Sequence, residues 1–173
     1  MKNIYLIGYM GAGKSMVSAE LSKKLPLKLV EMDLAIESLC AMSIPEIFAT
    51  MGEEGFRQQE TMLLKQLSQE ENQIISCGGG LVLRQENVDI MKATGTVILL
   101  TANPETIYGR IKDSQNRPLL KDRRTVEGIA AMMEERLPFY EAAKDYAVTT
   151  DNKTIDQVAA DIITTLAMND KLV

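Results

Sequence analysis

The chain has 173 residues, 46% apolar and 25% charged, with a formal net charge of −5, two cysteines and no histidine. That length suits one domain with a substantial core, and the acidic balance argues against nucleic acid or an anionic membrane as a main partner. The isolated Cys40 and Cys77 argue against a disulfide scaffold, and the lack of histidine removes histidine triads, histidine general bases and most zinc sites.

In chain order, NIYLIG (3–8) reads as a strand and MVSAELSKKL (16–25) as a helix. The early run IYLIGYM is too short to cross a membrane and carries no cleavage pattern, so no leader or transmembrane span is expected and the expected location is the cytoplasm. LKLVEM (27–32) is a short strand. AIESLCAM and SIPEIFATMG are two short helices, the second with Pro45 near its start, and EEGFRQQETMLLKQLSQE (53–70) is a long amphipathic helix. QIISC (73–77) is a strand followed by GGG, and NVDIMKATG is a helix stopped at Gly95. TVILLT (96–101) is a buried strand, NPETIYGRIKD (103–113) a helix opened by Asn-Pro, and TVEGIAAMMEERL (125–137) a helix stopped near Pro138. YAVTT (146–150) is a last strand and TIDQVAADIITTLAM (154–168) a last helix. This alternation implies an α/β domain, with a five-stranded parallel sheet covered by helices on both faces.

The run GYMGAGKS (8–15) matches G-x-x-x-x-G-K-[ST] between a strand and a helix, where that motif must lie. Its glycines let backbone N–H groups converge on an anion at the positive end of a helix. Gly11, Ala12, Gly13, Lys14, Ser15 and Met16 are therefore the expected nucleotide-binding run. Lys14 is expected on the outer phosphates and Ser15 on Mg²⁺. A guanine signature is absent: DNK (151–153) does not supply one. A short chain with the locally basic segment DSQNRPLLKDRR (113–124) points to a kinase of small molecules rather than a GTPase switch or a motor.

Glu31 and Asp33, two apart at a strand end, would face the same side if the strand continued through them. Asp33 could accept a hydrogen bond or proton from an acceptor hydroxyl, or cap the next helix. Arg57 and Glu60 share a helix face and read as a surface i,i+3 pair, and Arg136 reads as a charge at a helix end. Both arginines would equally suit an acceptor carboxylate, since guanidinium forks fit one. Three consecutive glycines, Gly78, Gly79 and Gly80, suggest close backbone approach to a ligand. Ser76 could hold a water on the metal, and Cys77 reads as a buried strand residue rather than a nucleophile.

Together GYMGAGKS, EMDLAIE, SIPEIFATMGEEGFRQQE, SCGGGLV, NRPLL and RLPFY resemble shikimate kinase along nearly the whole chain. The resemblance implies a single P-loop kinase domain of nucleoside-monophosphate-kinase type, with strand order 2-3-1-4-5. It implies transfer of phosphate from ATP to the 3-hydroxyl of shikimate, on the route to chorismate and the aromatic amino acids. Acceptor-binding helices would span about 33–61 and a mobile lid about 112–124. By motif, Asp33 corresponds to the hydroxyl-binding acid and base, Arg57 and Arg136 to the carboxylate clamp, and Gly79 to a backbone contact with Gly78 and Gly80 in support. Phe48, Phe56, Pro118 and Leu119 would be apolar walls. Arg117 would meet the transferring phosphoryl group, and Arg110 and Lys153 would lie beside adenine. Mg²⁺ would be held by Ser15 directly and by Glu31 and Ser76 through water. ATP and shikimate would be the partners of a monomer. Glu31 departs from the family's usual aspartate by one methylene. Alternatives are a kinase of another hydroxy acid such as gluconate, or a catalytically silent nucleotide-binding protein.

Overall fold

A computed structural model of the chain describes residues 2–113 and 124–171. Among the described residues five parallel strands form one sheet, β1 (Asn3–Ile7), β2 (Lys28–Glu31), β3 (Gln73–Ser76), β4 (Gly95–Thr101) and β5 (Tyr146–Thr149), in the order β2-β3-β1-β4-β5. Helices α1 (Lys14–Lys24), α2 (Met32–Cys40), α3 (Ile44–Leu67), α4 (Gln85–Thr94), α5 (Pro104–Ile111), α6 (Val126–Ala143) and α7 (Ile155–Met168) connect and cover it. β1 is buried at every position, as a central parallel strand must be when both faces are covered. It pairs with β3 on one side and β4 on the other, so chain order reverses around it. In open parallel sheets that reversal leaves a crevice at the carboxyl ends of the strands.

Local chemistry explains most boundaries. A capping box between Ser43 and Glu46 opens α3, and one between Thr154 and Gln157 opens α7. The chain turns by 89° between α2 and α3. Gly52 breaks α3 with φ 71° and ψ 177°, a conformation that glycine tolerates, so α3 is two helices meeting at a kink, as expected on either side of residue 52. Gly95 ends α4 in extended backbone, φ −164°, rather than as a left-handed stop. Its lack of a side chain serves close packing instead: a Cβ there would lie 2.6 Å from the Tyr5 ring.

Two expectations are corrected. β2 ends at Glu31, which is also the N-cap residue of α2, so Asp33 stands in the first helical turn and neither continues the strand nor caps the helix. Its charge lies at the positive end of the helix dipole. The helix α6 does not stop near Pro138 but runs to Ala143. A proline inside a helix costs about 3 kcal/mol. Beyond it, Tyr140 and Ala143 are buried. A ring such as Tyr140's removes on the order of 200 Å² from water, and at about 25 cal/mol per Å² this offsets the proline.

Candidate active site

The phosphate side is built by backbone. Gly8, Gly11 and Gly13 take φ values of 149°, 79° and 102°, which curl the loop ahead of α1. Lys14 Nζ donates to the carbonyls of Gly8 at 2.7 Å and Tyr9 at 3.1 Å. From α5, Arg110 Nη1 donates to the Gly11 carbonyl at 3.0 Å and to Thr150 Oγ1 at 3.2 Å. Arg110, Lys153 and Ile155 line a cavity of about 140 Å³ that meets the loop at Ala12, Gly13 and Met16. Lys153 is fixed there by Asp161, 2.7 Å away. The residues expected beside adenine are therefore together.

A larger cavity of about 350 Å³ lies on the other side of the loop, lined by Lys14, Ser15, Glu31, Asp33, Ser76 and Gly79 among others. Glu31 and Asp33 both reach it, although not by strand alternation. Glu31 Oε2 accepts from Ser15 Oγ at 3.0 Å. Its Oε1 lies 3.3 Å from Ser18 Oγ, which also lies 2.9 Å from the Ser15 carbonyl, so one hydroxyl proton serves two acceptors. Ser76 stands in register opposite Glu31 at the end of β3. These are hard oxygen donors, the kind Mg²⁺ takes. Among the described residues no cluster of three or more acidic, cysteine or histidine side chains forms a metal cage.

Behind Asp33 and the Gly78–Gly80 run lies a buried charged group whose members do not themselves line the cavity. Arg57 and Arg136 are each 7% exposed and Glu60 is 1% exposed. Arg57 Nη1 donates to Glu60 Oε2 at 2.7 Å, so the pair expected on the surface is an interior salt bridge. The reason is local: the Gly78–Gly80 run packs directly against Arg57 and Glu60, and Phe56 packs on Phe48 with ring centroids 4.9 Å apart. Arg57 Cζ sits 5.4 Å from the Phe56 centroid. Burial pushes the Glu60 carboxyl up to about 6 against the opposing pull of Arg57, and the nearby Asp33 adds to the rise. Asp33 Oδ1, Glu60 Oε1 and Arg57 Nε are buried without a hydrogen-bond partner among the described residues, an arrangement that is costly unless a ligand completes it.

Each of the three glycines meets a different group. A Cβ at Gly78 would collide with Glu60 and come within 3.2 Å of Asp33 Oδ1. At Gly79 it would face Arg136 Nη1 at 3.7 Å and the phosphate-loop backbone, and at Gly80 it would strike the Arg57 guanidinium. The glycines thus make room for the protein's own charges. They also bring together two arginines that are 79 positions apart in sequence. Cys77 is buried, which pushes its thiol well above the ordinary range and leaves it inert, as expected. Arg117, Pro118 and Leu119 lie outside the described residues. Sequence reasoning missed Tyr9, whose ring lies 6.0 Å from Arg136 Cζ, and Tyr140, which donates to the Gly79 carbonyl at 2.6 Å. The available signal was the i,i+4 spacing of Arg136 and Tyr140 on one helix face.

Fold and loop together define a P-loop small-molecule kinase. The shikimate kinase family model matches residues 10–167. A shikimate kinase of Dehalococcoides mccartyi is 44% identical over 160 residues, 92% of this chain and 90% of the relative. The structure of a shikimate kinase from Acinetobacter baumannii in complex with shikimate superposes with a TM-score of 0.93 at 31% identity, covering 98% of this chain and 94% of that one. The chain belongs to the shikimate kinase family and is an ATP-dependent phosphotransferase that forms shikimate 3-phosphate and ADP. A gluconokinase from Sinorhizobium meliloti, TM-score 0.64 at 17% identity over 97% of this chain and 94% of that one, shares the fold alone.

Proposed function

We propose that the 350 Å³ cavity is where shikimate meets the nucleotide, and that this chain's own residues divide the reaction as follows. Arg57 and Arg136 hold the acceptor carboxylate, a task suited to two guanidinium forks. Gly79 presents backbone to the ring, with Gly78 and Gly80 giving the clearance, while Phe48 and Phe56 supply an apolar wall. Asp33 accepts the hydrogen bond of the reacting hydroxyl and takes its proton as phosphoryl transfer proceeds. Lys14 and the loop N–H groups hold the charge of the transferring group. By resemblance Arg117 shares that task. Ser15, and through water Glu31 and Ser76, would hold Mg²⁺, which supplies charge neutralisation on the β- and γ-phosphates. Adenine lies toward Arg110 and Lys153.

The observation that carries this reading is Asp33 Oδ1: buried, without a partner among the described residues, in the same cavity as Lys14 and Ser15, and next to the Arg57–Glu60 pair. The free thiols of Cys40 and Cys77 support the reducing cytoplasm as the protein's location. Shikimate-dependent ADP release tests the assignment. Asp33→Asn is expected to lose roughly 10²-fold or more in kcat, and turnover equal to the parent protein would overturn it.

A further inference from the structure

Tyr140 follows Arg136 by one helical turn on α6 and is 4% exposed. Its phenol donates a 2.6 Å hydrogen bond to the Gly79 carbonyl. A peptide group is planar, and in its trans form the C=O and the following N–H point to opposite edges. No described peptide bond is cis. Fixing the Gly79 carbonyl therefore fixes the whole Gly79–Gly80 peptide group, including the direction of the Gly80 N–H. Glycine has no side chain to do this, and two in succession leave the segment unusually free.

That peptide group lies between the two arginines. Arg136 Nη1 stands 3.7 Å from the position of a Gly79 Cβ, and the Arg57 guanidinium occupies the space of a Gly80 Cβ. The phenol oxygen also accepts a hydrogen bond from the Arg136 side chain, so one hydroxyl ties Arg136 itself to the loop against which Arg57 rests. Burial pushes the phenol up to about 12, so it remains a hydrogen-bond donor throughout the working pH range.

We infer that Tyr140 is a positioning residue for the acceptor, holding the Gly79–Gly80 peptide group in the orientation that lets Arg57 and Arg136 converge. The inference rests on the acceptor reading given above. Tyr5 provides the structural comparison: its phenol is equally buried and pairs with Thr94 Oγ1 at 2.7 Å, at the end of α4 and apart from the glycine loops.

The experiment compares Tyr140→Phe, Tyr5→Phe and Arg136→Lys in steady-state kinetics with shikimate and ATP, alongside thermal unfolding. Tyr140→Phe is expected to raise KM for shikimate about five- to tenfold, since the bonds to the Gly79 carbonyl and to Arg136 are both lost, with kcat and KM for ATP within about twofold. Tyr5→Phe is expected to lower Tm without moving either KM. A Tyr140→Phe protein that lowers Tm like Tyr5→Phe but keeps its shikimate KM, while Arg136→Lys raises it, overturns this inference alone. If Arg136→Lys also leaves the shikimate KM unchanged, the acceptor reading falls and the role of Tyr140 falls with it.

Discussion

Eight consecutive residues, Gly8 to Ser15, form the phosphate loop on one side of the cavity, whereas the acceptor side has Asp33 from α2 and Gly79 on the cavity wall and, behind them, Arg57 and Glu60 from α3, Gly78 and Gly80, and Arg136 from α6. The first site works through backbone N–H groups and a helix end, so its geometry is set by three glycine dihedrals and one lysine. The second works through side-chain charges held out of water, where each depends on its neighbours. A change on the phosphate side should act on chemistry with little effect elsewhere. A change on the acceptor side should couple binding, ionisation and stability.

The largest expected effect sharpens the phosphate side. Lys14→Ala should lower kcat by about 10³-fold through loss of charge stabilisation, with Tm and the shikimate KM nearly unchanged. A large loss of Tm would mean that the bonds from Lys14 to the Gly8 and Tyr9 carbonyls hold the loop together. On the acceptor side, Arg57→Lys keeps the charge but loses the fork. It should raise KM for shikimate by roughly tenfold, leaving KM for ATP in place. A rise in the ATP constant instead would break the division between the two sides.

Glu60 gives a third, smaller effect, read through pH. Its folded value is raised from 4.5 to about 6, so the folded protein holds this proton more tightly than the unfolded chain. That contribution is fully present below about pH 4.5 and is lost as pH rises through about 6. The shift corresponds to about 2 kcal/mol. The Tm of the parent protein minus that of Glu60→Gln should therefore fall by a few degrees from pH 4.5 to pH 7. Lys14→Ala should keep the parent's profile. A flat difference would show that Glu60 does not titrate there.

The smallest effect concerns the boundary between the sides. Glu31→Asp withdraws the carboxylate from Ser15 and Ser18 by one methylene. The Mg²⁺ concentration giving half-maximal rate should shift a few-fold, with shikimate KM unchanged. An identical magnesium dependence would make Glu31 a bystander.

The same contrast explains what could be read in the sequence. The phosphate loop was legible because its chemistry is local, and alternating apolar runs were enough to place the strands and most helices. The resemblance supplied the strand order. What spacing could not reveal was burial. Arg57 and Glu60 look the same on an exposed helix as on a covered one, and only the packing of the glycine loop and Phe56 decides between them. Pro138 was misleading for a related reason: the local rule ends the helix, and burial of Tyr140 overrides it. The paired acids Glu31 and Asp33 do reach one cavity, but through a strand-to-helix junction that strand alternation does not describe.

The crowding at the triple glycine also bears on how the acceptor range of this enzyme could be redesigned. Side chains added at Gly78 or Gly80 would run into Glu60 or Arg57, so mutational drift there is blocked before any new substrate is tried. Leu34, by contrast, is 64% exposed on the cavity rim. Selection for a bulkier hydroxy acid should therefore accumulate changes on α2 around Leu34, leaving the glycine loop untouched.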